Sequence, residues 1–80
     1  MFFVYILYSE KLGKYYVGQT NNLSDRLNRH NAGQEKFTSK GLPWKLVWSI
    51  EVESRAAAMQ KEKQIKGRGA KRFLAYNGFA

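Results

Sequence analysis

Two short aromatic segments at the start of the chain lead directly into an amphipathic helix. Residues 2–8 are β-branched and aromatic, and they are apolar on both faces, which predicts a central strand. The mostly polar stretch 9–14 contains a glycine and predicts a hairpin connection, after which 15–19 returns as a second strand. The chain is therefore expected to form a small sheet from a hairpin before its first helix.

The helix that follows carries an arginine and a histidine one turn apart. The asparagines at 21–22 are favoured N-cap residues, and Leu23 and Leu27 recur at helical spacing. His30 falls within the apolar stripe, and Arg26 lies at its edge, four residues earlier. Packing does not require this pair, although both side chains can also extend to solvent or bind backbone groups.

The rest of the chain predicts one strand and two helices. Residues 44–52 alternate as a third strand, with one face formed by Trp44, Leu46, Trp48, Ile50 and Val52. Ser54 caps a helix over about 55–66, and a short helix follows over about 70–76. The order β-β-α-β-α-α predicts a single α/β (α+β) domain over 1–80, with a small three-stranded antiparallel sheet flanked by helices.

The charge of the chain predicts a polyanionic partner. The net charge is +8, and residues 61–72 hold six cations against a single acid. Such a field favours nucleic acid first, and an acidic membrane or an acidic protein second, although a charge run can also be a solvated helix face. The absence of cysteine excludes disulfides and Cys-ligated zinc, and a single histidine excludes a His-based metal cage. No apolar run approaches the ~20 residues of a membrane span, so a cytoplasmic protein with no membrane partner is expected.

The one acid of the basic segment lies in an apolar helical stripe. Ala58, Met59 and Ile65 mark that stripe, and Glu62 falls inside it. A carboxylate is costly to bury without a partner. Glu62 is therefore expected either to pair with a lysine or arginine or to bind a divalent cation. Mg²⁺ takes only one or two protein carboxylates, so one glutamate is enough for the second alternative.

Two tyrosines of the hairpin can meet on one face of the sheet. Phe3, Tyr5 and Leu7 share a face, and an antiparallel register can bring Tyr16 close to Tyr5. Each tyrosine can be a core aromatic residue. Alternatively, a tyrosine hydroxyl within reach of a histidine and a metal-bound water can transfer a proton.

The order of these motifs resembles that of a known enzyme family. The set comprises Phe-Val-Tyr at 3–5, Tyr-Val-Gly at 16–18, Arg26 and His30 in the first helix, Glu62 within 62–67, and Asn77. Over essentially its whole length the chain is similar to the GIY-YIG nuclease domain, and specifically to the small stand-alone bacterial members close to the UvrC N-terminal domain. Phe3 and Val4 replace the glycine and isoleucine of the first motif, whereas Tyr5 is retained.

The resemblance implies a metal-dependent endonuclease that hydrolyses DNA. Glu62 would hold one Mg²⁺ or Mn²⁺ ion, and Tyr5 would deprotonate the attacking water with help from His30. Tyr16 would bind the phosphate or order water, and Arg26 would offset charge on the transition state. Asn77 would complete the active site. The DNA backbone would contact Lys36, Lys40, Lys61, Lys63, Lys66, Arg68, Lys71 and Arg72.

Three functions are open at this point. The first is an endonuclease on DNA, including branched or damaged DNA as met in DNA repair. The second is a nucleic-acid-binding module on the same scaffold without nuclease activity, and the third is an adaptor for an acidic protein. The first is favoured because a pure binding module has no need for a carboxylate among cations that face phosphate.

Overall fold

The protein folds as a three-stranded sheet with one helix on one face and two on the other. The computed structural model describes residues 1–76, and its elements follow the predicted order. They are β1 (Phe2–Ser9), β2 (Lys14–Thr20), α1 (Leu23–Asn31), a 3₁₀ turn (Ser39–Gly41), β3 (Trp44–Val52), α2 (Arg55–Arg68) and α3 (Ala70–Tyr76). The predicted fold class is confirmed. Within residues 1–76 no helix combines the length and apolar character that a membrane crossing requires.

The sheet is antiparallel throughout, in the order β2-β1-β3. β1 lies at the centre, as its two apolar faces predict. The hairpin pairs Tyr5 with Gly18 and Leu7 with Tyr16. Tyr16 is therefore the diagonal neighbour of Tyr5 on the same face, within reach of an aromatic ring.

The predicted alternation of β3 is wrong, because the strand contains a bulge. Ile6 pairs with Trp48, whereas the next residue of β1, Leu7, pairs with Leu46, so Val47 is an extra residue. An extra residue reverses which side chains face each side of a sheet. Of the five apolar residues predicted to share one face, Trp44 and Leu46 therefore lie on the α1 face, and the other three lie on the opposite face: Trp48, Ile50 and Val52.

Each face of the sheet has its own apolar core. The larger core lies between the sheet and helices α2 and α3, and its buried members are Val4, Ile6, Val17, Ala58, Ile65, Phe73 and Leu74. The smaller core lies on the α1 face and is built on Tyr5, Leu7 and Trp44, with Leu23 and Leu27 packed against it. Because Tyr5 brings a hydroxyl into the smaller core, the α1 face is where buried polar chemistry can occur.

The ends of α1 are fixed by hydrogen bonds that the sequence partly predicts. The Asn22 side chain accepts from the Asp25 amide at 3.0 Å, which is the predicted N-cap. At the other end, Asn31 donates to the Trp44 carbonyl at 3.1 Å and accepts from the Trp44 amide at 2.7 Å. These two bonds join the last turn of α1 to the start of β3. The position of His30 in that turn is therefore tightly set.

Candidate active site

Three buried polar side chains form one continuous chain beneath α1. Tyr5 comes from the centre of β1, His30 from the last turn of α1, and Thr38 from the loop that follows. The Tyr5 hydroxyl lies 2.9 Å from His30 Nε2, and His30 Nδ1 lies 2.7 Å from Thr38 Oγ1. All three residues are at most 1% exposed. Such burial is costly unless each polar atom has a partner, and here each has one.

The surroundings of this series of hydrogen bonds set the protonation states of Tyr5 and His30. Burial raises the pKa of Tyr5 to about 12, and the nearby Tyr16 adds to the rise, while the charge of Arg26 and its hydrogen bond oppose it. Burial also lowers the pKa of His30 below its usual value, and the Arg26 charge acts in the same direction. At neutral pH Tyr5 therefore keeps its proton, whereas His30 is uncharged and able to accept one.

Tyr16 lies between this buried chain and the protein surface. Its ring centroid is 5.0 Å from that of His30, 6.3 Å from that of Tyr5 and 5.7 Å from that of Phe37. The residue is half-buried, and that burial raises the pKa of its hydroxyl, while the charge of Lys66 opposes the rise. The Tyr16 hydroxyl is thus a neutral hydrogen-bonding group at neutral pH, near the more deeply buried pair.

Arg26 is held at the edge of the same site by an acid that the sequence did not single out. Arg26 Nε lies 4.0 Å from Glu35 Oε1, and Arg29 reaches the same oxygen at 3.6 Å. The Arg26 side chain is about one third exposed, so this long ion pair contributes little to stability. The guanidinium is available to an added phosphate, close enough to Tyr5 to influence its pKa.

Glu62 lies on α2, on the stripe that also carries Ala58 and Ile65. Both of those residues are buried, whereas Met59 is 56% exposed, so the prediction that Met59 belongs to the stripe is wrong. The Glu62 side chain is only 20% exposed, and its Oε2 lies 2.6 Å from Lys66 Nζ. Its charge raises the pKa of Tyr16, which places the carboxylate within electrostatic reach of that hydroxyl.

The donor set suits one hard divalent cation. Among residues 1–76 no three His, Cys, Asp or Glu side chains converge, so a cation enclosed by protein ligands alone does not fit the part of the chain described. Glu62 offers one half-buried carboxylate, and Mg²⁺ accepts one carboxylate when waters and substrate phosphate complete its shell. Lys66, with a 56% exposed side chain, can swing away from Glu62.

A cleft of about 770 Å³ runs along the free edge of β2. Its basic wall is formed by Lys14, Lys66, Lys71 and Arg72. Tyr16 and Phe37 also line the cleft, and Phe37 is 78% exposed. The cleft thus combines cations with exposed aromatic surface beside Tyr16.

The structure gathers some of the predicted DNA-contacting residues and separates others. Of the predicted cations, Lys66, Lys71 and Arg72 line the cleft. The side chains of Lys61 and Arg68 lie instead over the rings of Phe73 and Tyr76, at 5.8 and 5.1 Å. The remaining three are exposed away from the cleft lining: Lys36, Lys40 and Lys63. Asn77 lies outside the described residues.

Sequence reasoning missed four residues that shape this site: Lys14, Glu35, Phe37 and Thr38. The last three lie in the stretch 34–43, which the sequence predicts only as a polar loop. A hydroxyl eight residues after a histidine has no periodic signature, because the loop conformation alone brings the two together. The exposed phenylalanine in an otherwise polar loop was the one available signal.

Gly18→Ala is expected to disturb the site more than an ordinary glycine substitution. A Cβ at position 18 would lie 2.5 Å from the Tyr5 hydroxyl oxygen and 2.7 Å from Tyr5 Cζ. Tyr5 would have to shift, and we expect a loss of about 1–3 kcal/mol in the free energy of unfolding. The matched control is Gly67→Ala, because a Cβ on this helical glycine meets no atom within 4 Å. The control should gain about 0.5–1 kcal/mol in urea denaturation; equal effects of the two substitutions would contradict the close packing.

The stability of the protein should fall between neutral and mildly acidic pH because of His30. Burial lowers its pKa below the ordinary 6.5, so below that pH the unfolded chain binds a proton that the folded chain refuses. The full contribution is present above about pH 6.5 and is lost as pH falls towards the folded pKa, with a slope of at most about 1.4 kcal/mol per pH unit. Urea denaturation from about pH 7.5 to 5.5 measures this slope. His30→Gln should flatten it, and an unchanged slope would exclude His30 as its source.

Comparison with known proteins identifies the class of this fold and site. The GIY-YIG catalytic domain matches residues 1–77, and the chain belongs to the GIY-YIG family, a family of nucleases. The resemblance inferred from the motifs is therefore confirmed.

Three UPF0213 proteins illustrate the similarity to other chains. A UPF0213 protein of Streptococcus agalactiae is 37% identical over 65 residues, which cover 80% of this chain and 74% of that protein. A UPF0213 protein of Natronomonas pharaonis is 40% identical over 52 residues, 64% of this chain and 61% of that protein. One from Bacillus licheniformis is 40% identical over 55 residues, 68% and 57% of the two chains. The chain thus spans less than two thirds of the last two relatives. No solved structure matches it.

Proposed function

We propose that the chain is a metal-dependent endonuclease that hydrolyses DNA phosphodiester bonds with one bound Mg²⁺ or Mn²⁺ ion. The buried Tyr5–His30 pair carries this proposal, because its protonation states suit the removal of a proton from water. Family membership supports nuclease chemistry. We take residues 1–80 as one catalytic domain, acting in the cytoplasm on DNA that includes branched or damaged DNA, as in DNA repair.

The proton path follows from the pKa directions. A Tyr5 with a pKa of about 12 is a neutral phenol at neutral pH, so it can take a proton from the attacking water only while it gives its own to His30 Nε2. His30 becomes positively charged and keeps its bond to Thr38. The water oxygen bonds to phosphorus, the bond from phosphorus to the leaving oxygen breaks, and that oxygen takes up a proton from solvent water. Tyr5 is still a phenol after this relay, and neutral His30 is restored when its Nε2 later loses the proton to solvent.

The remaining site residues act on the phosphate. Tyr16 donates a hydrogen bond to a phosphate oxygen, and Arg26 offsets the negative charge that grows in the transition state. Glu62 would hold the cation after Lys66 releases its carboxylate. When bound, Mg²⁺ or Mn²⁺ supplies Lewis-acid stabilisation of the scissile phosphate and the leaving oxygen. Asn77 stays a proposed member of the site on the strength of the family resemblance.

DNA binding is proposed for the cleft along β2 and the cations around it. Lys14, Lys66, Lys71 and Arg72 can contact successive phosphates, which gives an affinity that falls steeply with salt. Phe37 can stack on a base beside Tyr16. The predicted contacts outside the cleft lining are proposed as outlying phosphate contacts of a longer DNA: Lys36, Lys40, Lys61, Lys63 and Arg68.

A nuclease-inactive nucleic-acid-binding module is the second candidate. One observation favours it: Glu62 and Lys66 form an ion pair at 2.6 Å, the partnered arrangement in which the carboxylate needs no cation. Such a module would bind DNA through the same cleft and would leave it intact.

An experiment in which the cation is removed distinguishes the nuclease from the binding module. End-labelled linear, nicked and branched DNA would be incubated with the protein in Mg²⁺, in Mn²⁺, in chelator, and in chelator followed by excess Mg²⁺. We expect cleavage with either cation, none in chelator, and recovery on re-addition, with the three DNAs ranked by rate. Salt-sensitive binding with no cleavage under any condition would establish the binding module instead.

A further inference from the structure

The hydrogen bonds that link Tyr5, His30, Thr38 and the Glu35 carbonyl can be assigned donors and acceptors from the positions of their heavy atoms. There are three contacts: Tyr5 Oη to His30 Nε2 at 2.9 Å, His30 Nδ1 to Thr38 Oγ1 at 2.7 Å, and Thr38 Oγ1 to the Glu35 carbonyl at 3.4 Å. A neutral imidazole has one donor nitrogen and one acceptor nitrogen, and a hydroxyl has one proton. Choosing the direction of one bond therefore decides the others.

The Tyr5 hydroxyl proton decides the direction. Tyr5 is 1% exposed, so its proton must find an acceptor within the protein. Among the side chains of residues 1–76, its oxygen meets His30 Nε2 and the Arg26 guanidinium, which has donors only. Tyr5 therefore donates to Nε2, and the imidazole proton resides on Nδ1. Nδ1–H donates to Thr38, and the Thr38 hydroxyl donates to the Glu35 carbonyl.

The opposite direction leaves a buried donor without an acceptor. If Thr38 donated to Nδ1, then Nε2–H would point at the Tyr5 oxygen, and the Tyr5 proton would have no acceptor in the part of the chain described. The backbone of Thr38 is also held by hydrogen bonds in a position that suits donation from Nδ1–H to its hydroxyl. Its amide donates to the Glu35 carbonyl at 3.2 Å, and its own carbonyl accepts from Trp44 Nε1 at 2.7 Å. The hydroxyl is thus held between the imidazole and the carbonyl.

We propose that Thr38 is a positioning residue that keeps His30 in the tautomer protonated at Nδ1, so that Nε2 is the atom that receives the Tyr5 proton. Without the Thr38 hydroxyl, either tautomer leaves one buried donor unpaired, Nδ1–H in one and the Tyr5 hydroxyl in the other, so the preference for protonation at Nδ1 is lost. In the molecules that are protonated at Nε2, this nitrogen donates to Tyr5 and cannot take its proton. In the others, the charged His30 that forms during transfer has lost its Nδ1–H acceptor. This tautomer assignment is independent of any activity, whereas its effect on cleavage rests on the proposed function.

Nitrogen NMR reads the tautomer directly, because His30 is the only histidine in the chain. Long-range ¹H–¹⁵N spectra of ¹⁵N-labelled wild type at about pH 8 should show Nδ1 as the protonated, pyrrole-type nitrogen and Nε2 as the pyridine-type nitrogen. Thr38→Ser keeps the hydroxyl and should keep this pattern, whereas Thr38→Val should show a mixture of the two tautomers, with both nitrogen shifts moved towards intermediate values. A wild type protonated at Nε2, or a folded Thr38→Val that stays wholly protonated at Nδ1, would overturn the proposal. The wild-type spectrum decides the assignment even if Thr38→Val does not fold.

The cleavage assay supplies the second readout. Thr38→Val should lower the single-turnover rate by about 10- to 100-fold at unchanged DNA affinity, and Thr38→Ser should restore most of it. Thr20→Val is the matched control, since Thr20 is a buried threonine whose hydroxyl, among residues 1–76, bonds only to the backbone of Asn22. Equal losses in Thr38→Val and Thr20→Val would overturn the positioning role. If wild type itself does not cleave DNA, the proposed function fails, while the NMR result still decides the tautomer.

Discussion

Tyr5→Phe is expected to slow single-turnover cleavage of DNA by about 10²–10⁴-fold, the usual contribution of a proton-transferring group. The phenyl ring keeps the contacts of Tyr5 in the smaller core, and only the hydroxyl that meets His30 Nε2 is lost. DNA affinity should stay the same, because the buried hydroxyl is not among the cations that contact phosphate. The free energy of unfolding should fall by about 1–3 kcal/mol, since His30 loses its partner.

Tyr8→Phe is the matched control for this substitution. Tyr8 belongs to the same strand but packs on Tyr15, with ring centroids 4.8 Å apart, and is remote from the His30 chain. Its cleavage rate should equal that of wild type. A Tyr5→Phe variant with more than about one tenth of the wild-type rate would remove Tyr5 from proton transfer. Parallel losses of cleavage and DNA binding would indicate a structural role instead.

Glu62→Gln is expected to abolish metal-dependent cleavage, with a loss of at least about 10²-fold at saturating Mg²⁺. The amide keeps the shape of the side chain but lacks the charge that a hard cation requires of its ligand. Stability should change by less than about 1 kcal/mol, because the ion pair with Lys66 is an i,i+4 helix pair. DNA affinity measured in chelator should be kept or slightly increased, since Lys66 is released.

Binding of the cation can be measured directly in wild type and in Glu62→Gln. Paramagnetic broadening by Mn²⁺ should spread from the α2 face around Glu62 to Tyr16 in wild type and should disappear in Glu62→Gln. Glu53→Gln is the control, since Glu53 is an exposed acid in the link between β3 and α2. Cleavage by Glu62→Gln at the wild-type rate, or broadening that persists in it, would place the cation elsewhere.

The sequence predicts the sheet and its helices well, because their signals are local. β1 is apolar on both faces and lies in the centre of the sheet. Caps at Asn22 and Ser54 mark two helix starts at the predicted residues. The exception is β3, where strict alternation assigns one face to five of its six apolar residues. A bulge at Val47 is a property of the strand pairing, and nothing in the strand's own pattern signals it.

Some residues of the candidate site can likewise be predicted from the sequence, whereas others cannot. Residues on regular elements, such as His30 on the stripe of α1 and Glu62 on that of α2, are accessible to sequence reasoning because helical spacing fixes their faces. Glu35 and Thr38 are not, because an irregular loop brings them back beneath α1. The direction of the hydrogen bonds could be derived only from the set of partners around Tyr5.

The central claim is that this site hydrolyses DNA by attack of water on phosphorus. Single-turnover cleavage by wild type with Mg²⁺ in H₂¹⁸O, followed by mass spectrometry of the products and of the protein, tests it most directly. We predict one ¹⁸O atom in the newly formed terminal phosphate, no protein–DNA adduct at any time, and no product in chelator. Intact DNA in the presence of Mg²⁺, product without ¹⁸O, or an adduct on Tyr5 or Tyr16 would contradict the account.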